Sequence, residues 1–287
     1  MRTNILALAL AGVLGAGLAA IQSPSQQQQP PQLNIEKVKD DLYTIIGDGG
    51  NVAVLITNEG VLLVDDKFEQ DHEQIMEKVK GVTNQPVKYV INTHYHADHT
   101  GGNAKFLSTA EIISTKNART NILEHKQPTA PPGVMPARIV FTDETSVFLG
   151  GKEVRARYFG RGHTNGDAVI YFPADRTIHT GDLMSGTTPL IDYNGGGSIV
   201  EWTKTLDAAM NQLDFETVIP GHGAVTNKAG LQTYRNNVEK LRNRVSGLIR
   251  EGKSQEEIGK VLIAEYGWAA NSLNMQWSLP GFMTELK

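Results

Sequence analysis

Four potential metal ligands fall within six consecutive residues of this chain. Residues 94–99 read His-Tyr-His-Ala-Asp-His and directly follow Val87–Ile91, an apolar run that predicts a short buried strand. Side chains two apart on an extended segment point the same way, so His94 and His96 can share one ion. Asp98 and His99 fall on the following turn and can face a second ion. Imidazole combined with carboxylate favours zinc, with iron or manganese as alternatives.

Three glycine-flanked turns each supply one further candidate ligand. His163 lies in a Gly-His-Thr turn before an apolar run, and Asp182 and His222 each follow a short apolar run. Glycine lets the backbone turn sharply at such points. Ligands offered from the ends of several strands are how an α/β scaffold builds a rigid site on its loops. The three turns therefore favour a metal centre over the alternative, a surface loop that happens to be rich in histidine.

Through these segments the chain resembles the metallo-β-lactamase superfamily over roughly residues 35 to 245. The matching motifs are Val61–Asp65, His94–Gly102, Gly162–Thr164, Thr180–Asp182 and Pro220–Gly223. The resemblance implies the α/β fold of that family, a four-layer αβ/βα sandwich with two metals at the edge between two sheets.

The resemblance also implies a ligand set and a mechanism. The residues matching the family's first site are His94, His96 and His163, and those matching its second site are Asp98, His99 and His222. Asp182 matches the aspartate that bridges the two ions, which implies two Zn²⁺ per chain. A metal-bound hydroxide would attack a carbonyl carbon. Asp98 and Asp182 would be the catalytic residues. Both would orient the hydroxide, and Asp98 would take up the proton of the hydroxide.

Two positions leave the substrate open between a lactam and an ester. The best-known zinc β-lactamases carry a cysteine where this chain has Asp182, and the chain contains no cysteine at all. Their lysine that anchors the drug carboxylate is replaced by Ser185, although Lys204 or Arg161 could substitute for it. The sequence around His163 favours a β-lactamase-like hydrolase opening a cyclic amide or ester. Asp182 and Ser185 favour a lactonase or a thioesterase resembling glyoxalase II.

Two other classes of function remain as alternatives. A non-haem iron redox enzyme could use the same fold, although a diiron flavoprotein is disfavoured because His96 stands where those proteins have glutamate and no flavin domain is present. A non-catalytic metal-binding protein is disfavoured because all seven ligands are present.

Composition narrows the choice of partners. The chain has 287 residues, 40% of them hydrophobic, which suffices for one large core or two half-domains around one. A net charge of −4 offers no basic face for nucleic acid. We therefore expect a small-molecule substrate and no nucleic-acid partner.

The amino terminus predicts export. Arg2 precedes an apolar stretch that ends in small residues, the pattern of a secretory signal peptide. We expect a signal peptide at 1–20, a disordered Gln/Pro-rich linker at 21–32, the hydrolase domain at 33–250 and a C-terminal helical extension at 251–287. The mature protein would be periplasmic or secreted, free of the membrane once the signal is removed, and built without disulfides.

Hydrophobic periodicity predicts the elements that position these residues. A hairpin is expected over 51–65, and helices over 71–80, from 103, over 201–213, over 230–251 and from a Ser254 capping box to about 266. Asp65 is expected to orient the site loop through hydrogen bonds. His72, His125 and His179 are expected to be surface or supporting residues. Segment 126–137 predicts a flexible crossover loop, with a substrate lid as the alternative, and 193–198 predicts either a substrate contact or a scaffold turn.

Overall fold

The computed structural model describes residues 31–186 and 188–287, so the predicted signal peptide and nearly all of the predicted linker lie outside the described residues. Within the described ranges the chain forms two β-sheets with helices on their outer faces. None of the described helices combines the length and apolar character needed to cross a membrane.

The first sheet contains seven strands in chain order. Its first four strands pair antiparallel and its last four pair parallel. The strands are β1 (Asn34–Lys37), β2 (Leu42–Ile46), β3 (Val52–Ile56), β4 (Val61–Val64), β5 (Val87–Ile91), β6 (Glu111–Thr115) and β7 (Ile139–Phe141).

The second sheet contains six strands in the order β13-β12-β11-β10-β9-β8. All neighbours pair antiparallel except β11 and β12, which are parallel. The strands are β8 (Glu144–Leu149), β9 (Lys152–Tyr158), β10 (Ala168–Phe172), β11 (Thr177–His179), β12 (Thr217–Ile219) and β13 (Thr226–Asn227).

Eight α-helices complete the described part of the chain. Their bounds are α1 (His72–Lys80), α2 (Ala97–Thr100), α3 (Asn103–Phe106), α4 (Lys116–Leu123), α5 (Ile199–Gln212), α6 (Lys228–Arg250), α7 (Gln255–Tyr266) and α8 (Leu279–Glu285). Single turns of 3₁₀ helix occur at Glu69–Asp71, Pro173–Asp175 and Gly181–Leu183, and a π-helical turn at Asn274–Ser278 leads into α8.

Side chains that alternate between the two faces of each strand explain how the layers form. In β4, Leu62 and Val64 face the core between the two sheets, whereas Val61 and Leu63 face α1 on the outside. Both faces of the sheet are therefore covered, as parallel strands require. The second sheet repeats the arrangement, with Ile170 of β10 facing the first sheet and its neighbours facing α5 and α6. The predicted four-layer αβ/βα sandwich is confirmed.

The carboxyl-terminal segment belongs to the same core. α7 begins at the predicted capping box, in which Ser254 and Glu257 satisfy each other's backbone N–H groups. The chain then returns through the π-helical turn into α8, whose Leu279 and Phe282 are buried in the core cluster that contains Trp202 of α5. Residues 251–287, the C-terminal extension, are therefore packed against the second sheet's helical layer.

Candidate metal centre

All seven predicted ligands lie together on loops that leave the strands. His94 and His96 follow β5, and Asp98 and His99 lie on α2 immediately afterwards. From the second sheet, His163 lies between β9 and β10, Asp182 follows β11 and His222 follows β12. Because β11 and β12 are parallel, their carboxyl ends meet at the same edge, and Ser185 pairs with His222 there. Each sheet contributes part of one cluster.

A first group consists of three buried imidazoles, His94, His96 and His163. The Nδ1 atom of His96 lies 3.2 Å from Nε2 of His94 and 2.9 Å from Nε2 of His163. Three ring nitrogens facing one point cannot all be satisfied by one another, because a neutral imidazole has one donor and one acceptor. A cation at that point would satisfy all three lone pairs.

A second group consists of Asp98, His99 and His222. The Nε2 atom of His222 lies 3.2 Å from the Asp98 carboxylate and 3.3 Å from Nε2 of His99. The Asp98 carboxylate lies 3.6 Å from the same His99 nitrogen. This group mixes carboxylate and imidazole donors, which suits a borderline-soft divalent cation such as zinc.

Asp182 lies between the two groups. Its Oδ1 atom is 3.3 Å from His99 and 3.5 Å from His222, and its Oδ2 atom is 3.7 Å from Nε2 of His163. Oδ1 is buried and makes no hydrogen bond within the described structure. A buried carboxylate oxygen without a hydrogen bond is costly, so its position between two sets of nitrogen donors fits a metal-bridging ligand.

Two glycines keep the space around these donors open. A Cβ atom at Gly50 would lie 2.2 Å from the His99 ring, and one at Gly221 would lie 2.0 Å from Oδ1 of Asp182. Neither position tolerates a side chain without moving a candidate ligand. The donor chemistry, the partnerless carboxylate oxygen and this glycine cradle all fit a pair of divalent metal ions.

The electrostatics differ between the two groups. Burial lowers the pKa of His94 well below its usual value and lowers the pKa of His163 to about 4, so both are neutral with a free lone pair. Burial alone would also lower the pKa of His99, but the carboxylates of Asp98 and Asp182 raise it well above the usual value. The pKa of Asp98 is lowered to about 2: burial opposes the shift, and His99 and His222 produce it. Burial opposes the same shift at Asp182, where His222 and His99 lower the pKa well below its usual value, so both carboxylates are ionised at neutral pH.

Asp65 has the supporting role predicted for it. One of its oxygens accepts from the backbone N–H of Thr93 at 2.7 Å, and the other accepts from the Thr93 hydroxyl at 2.8 Å and from Nδ1 of His99 at 2.7 Å. These bonds fix the start of the ligand loop and direct Nε2 of His99 toward the centre. Asp65 itself adopts φ of 64° and Lys67 one of 58°, so the turn after β4 is left-handed at two non-glycine residues.

Asp192 is a supporting residue that sequence reasoning missed. Its carboxylate accepts a hydrogen bond from Nε2 of His96 at 2.9 Å and another from the Tyr95 hydroxyl. It is held in turn by the backbone N–H of Gly195, 3.0 Å away. Asp192 is 96 positions from His96, and no spacing rule links the two. The run of glycines after Asp192 is the one sequence feature that points to this loop.

The three histidines outside the motifs are not among the clustered donors of the described structure. His179 is buried, donates to the Asn51 carbonyl at 3.1 Å and accepts from the backbone of Gly181, so it shapes the turn before Asp182. His72 packs edge-on against Phe106, and His125 is exposed. His179 therefore lies in a supporting position, His72 is half-buried and His125 lies at the surface.

The sequence leaves the roles of two loops near the centre undecided. Segment 126–137 connects α4 to β7, and part of it lines, together with Tyr95, a cavity of about 300 Å³. In the glycine loop, a Cβ at Gly195 would lie 2.6 Å from the Tyr95 ring and one at Gly197 would lie 2.4 Å from the His163 carbonyl. These glycines let the loop pack closely against the ligand loops, which is a scaffold role.

The comparisons with known proteins agree with this geometry. The family model described as the metallo-beta-lactamase superfamily matches residues 45–222. A relative named metallo-beta-lactamase type 2, from Elizabethkingia meningoseptica, is 26% identical over 77% of this chain and 90% of its own. Metallo-beta-lactamase IND-1 from Chryseobacterium indologenes is 29% identical over 60% of this chain and 71% of its own. The crystal structure of DIM-1 metallo-beta-lactamase superposes with a TM-score of 0.64 at 23% identity, covering 74% of this chain and 99% of that one.

The chain belongs to the metallo-beta-lactamase superfamily, because the family model spans more than half of it. It is a metal-dependent hydrolase of that superfamily, with groups of histidine and aspartate placed to bind metal.

Proposed function

We propose that this protein is an exported dinuclear zinc hydrolase that opens a cyclic amide or ester. The observation that carries the proposal is the position of Asp182, whose buried Oδ1 atom makes no hydrogen bond and lies between two sets of donor atoms. One ion would be held by His94, His96 and His163, and the other by Asp98, His99 and His222, with Asp182 shared between them.

The ions would supply Lewis acidity toward the substrate carbonyl and a water of lowered pKa. The protein's own carboxylates would position that water. The Asp182 side chain is 6% exposed and the Asp98 side chain 23% exposed, so Asp98 is the carboxylate that reaches toward solvent. Asp98 is ionised at neutral pH and can accept a proton and return it to bulk water.

The relatives named metallo-beta-lactamases support a lactam substrate. A specific contact favours a second candidate, an ester, lactone or thioester that lacks a carboxylate. Ser185 stands at the position matching the carboxylate-binding lysine of the best-known zinc β-lactamases, and the alternative cation Arg161 is already paired with both oxygens of Glu201. Lys204, the other cation that could bind a substrate carboxylate in place of the lysine, is exposed on α5.

The test is a substrate comparison on zinc-loaded protein. Hydrolysis of a chromogenic cephalosporin, an aryl-substituted lactone and a thioester would be measured with and without a chelator, beside an Asp182→Asn variant. We expect chelator-sensitive turnover of at least one substrate and a large loss of kcat in the variant. Two zinc ions per chain with turnover of none of the three would contradict the hydrolase proposal. Resident iron accompanied by oxygen consumption would favour the redox alternative.

We also propose that residues 1–20 direct export and are removed. Amino-terminal sequencing of the protein recovered from the periplasm or medium of an expressing bacterium tests this. A first residue close to Ile21 is expected, and an intact Met1 on protein confined to the cytoplasm would contradict it.

A further inference from the structure

The C-terminal extension lies outside the residues matched by the family model, yet it contacts the loop that supports the metal centre. Ser278 is buried, and its hydroxyl accepts from the backbone N–H of Ile191 at 2.9 Å and donates to the Ile191 carbonyl at 3.1 Å. The Asn274 amide donates to the Pro189 carbonyl at 2.8 Å. The π-helical turn is thus bonded to the residue directly before Asp192.

A second set of contacts fixes the other side of the same loop. Glu285 of α8 accepts from the Tyr193 hydroxyl at 2.7 Å, from the Ser198 hydroxyl, and from the backbone N–H of Ile199 at 3.1 Å. A carboxylate at the amino end of α5 is also favoured by the helix dipole. Asp192, which orients His96, is therefore held between two contacts made by the extension.

Between these contacts the extension places an indole beside a candidate ligand. The ring centroid of Trp277 lies 5.5 Å from that of His96, with the ring planes tilted by 55°. Trp277 is half-buried, in contrast to the fully buried Ser278 beside it. Part of a large, flat, apolar ring therefore remains accessible next to the first ligand group.

We propose that Trp277 is a specificity-determining residue that forms one wall of the substrate cleft. It selects substrates or ligands in which an aromatic or flat apolar group lies close to the atom that would bind the ion of the first ligand group. Offset or edge-on packing of aromatic rings at such a wall strengthens binding beyond simple area burial. The inference rests on the proposed function in one respect: it takes the first ligand group to hold zinc.

The test uses binding, so it does not depend on turnover. Zinc-loaded protein would be titrated calorimetrically with two thiols that share a zinc-binding thiolate and a carboxylate, mercaptoacetate and 2-mercapto-3-phenylpropanoate. Only the second carries a phenyl ring. We expect Trp277→Ala to weaken the binding of the phenyl-bearing thiol about three- to tenfold and to leave the affinity for mercaptoacetate unchanged. Trp277→Phe should retain most of the preference for the phenyl-bearing thiol.

Gln276→Ala is the matched control, since Gln276 is the exposed neighbour of Trp277, and it should change neither affinity. Equal weakening of both thiols by Trp277→Ala, or loss of zinc from that variant, would overturn the proposal in favour of a purely structural contact with His96. An unchanged affinity for the phenyl-bearing thiol would overturn it directly. A normal thiol preference in a protein that hydrolyses no substrate would contradict the proposed hydrolase function and leave this inference standing.

Discussion

At the scale of single residues, four of the five candidate imidazole ligands have their second ring nitrogen engaged. His94 contacts the Thr93 hydroxyl, His96 contacts Asp192, His99 contacts Asp65 and His163 donates to the Leu190 carbonyl. Such contacts fix both the orientation of a ring and which nitrogen carries the proton. In the neutral rings of His94 and His163, the nitrogen that faces the centre is the one left with a free lone pair, and all four rings are oriented before any ion binds.

Asp192 provides the sharpest test of this pre-ordering. Asp192→Asn removes the charge that orients His96 and keeps the side-chain volume, so we expect zinc affinity to fall about 10- to 100-fold. Competition against a chromophoric chelator measures it. Tyr95→Phe is the control, because it removes the hydrogen bond from Tyr95 to Asp192 and leaves the bond from His96. An affinity loss in Tyr95→Phe as large as that in Asp192→Asn would contradict a specific role for the contact with His96.

Lys67 carries a pH prediction of its own. Its ammonium is buried and donates to the backbone carbonyls of Asp48 at 2.8 Å and Gly50 at 2.5 Å, and burial lowers its pKa from 10.5 to about 8. Between pH 8 and 10.5 the unfolded chain binds more protons at this lysine than the folded chain does. The contribution of Lys67 to stability therefore rises with pH across that window, by at most about 3 kcal/mol.

The comparison that isolates this effect is with Lys67→Met. Urea unfolding of both proteins at pH 7.5, 9 and 10 should show the wild-type chain gaining stability relative to the variant at each step. A difference in unfolding free energy that stays constant with pH would show that the Lys67 pKa is not depressed in the folded protein.

At the scale of elements, the close approach of α8 to the loop after Asp192 depends on one glycine. A Cβ at Gly281 would lie 1.8 Å from the Tyr193 ring. Gly281→Ala should therefore displace α8 and destabilise the protein by about 1–3 kcal/mol through overpacking. The shift in the denaturant midpoint measures this.

Gly247→Ala in α6 is the matched control, since a Cβ there meets nothing within 4 Å. It should be neutral or slightly stabilising, by up to about 1 kcal/mol, because alanine is the better helix former. A Gly281→Ala variant as stable as Gly247→Ala would mean that α8 does not pack against Tyr193 as described.

Physical reasons separate the elements that the sequence predicted from those it did not. Helices with a clear apolar stripe, such as α1, α5 and α6, were predicted to within two residues of each end. α8 was missed because Pro280 and Gly281 argue against a helix, although proline is accepted in a first helical turn. α4 was missed because its buried face is small and polar in part, with Ala118, Asn121 and Ile122.

The same distinction applies to the centre. The seven candidate ligands could be identified because metal binding imposes residue types at fixed spacing on local turns. Asp192 and Trp277 could not, because each reaches His96 through the fold, from 96 and 181 positions away. Contacts of that kind are set by how loops pack, which no local pattern records.

At the scale of the whole molecule, each ligand group joins the two sheets. The first group takes two residues from the loop after β5 and His163 from the second sheet, and the second group takes Asp98 and His99 together with His222. An ion bound by either group therefore ties the two halves of the sandwich together. Its binding free energy becomes folding free energy for the entire chain, because the unfolded chain has no such site.

Zinc should accordingly stabilise the chain as one cooperative unit. With free zinc at about 1,000 times its dissociation constant, the gain is about 4 kcal/mol, which raises Tm by about 7 °C for a chain of this size. Calorimetry of chelator-treated protein before and after zinc is restored measures the shift. His222→Ala retains the first group and should show a smaller but still positive shift. Two separate transitions, of which zinc moves only one, would show that the ions stabilise one half of the molecule and do not join the two sheets.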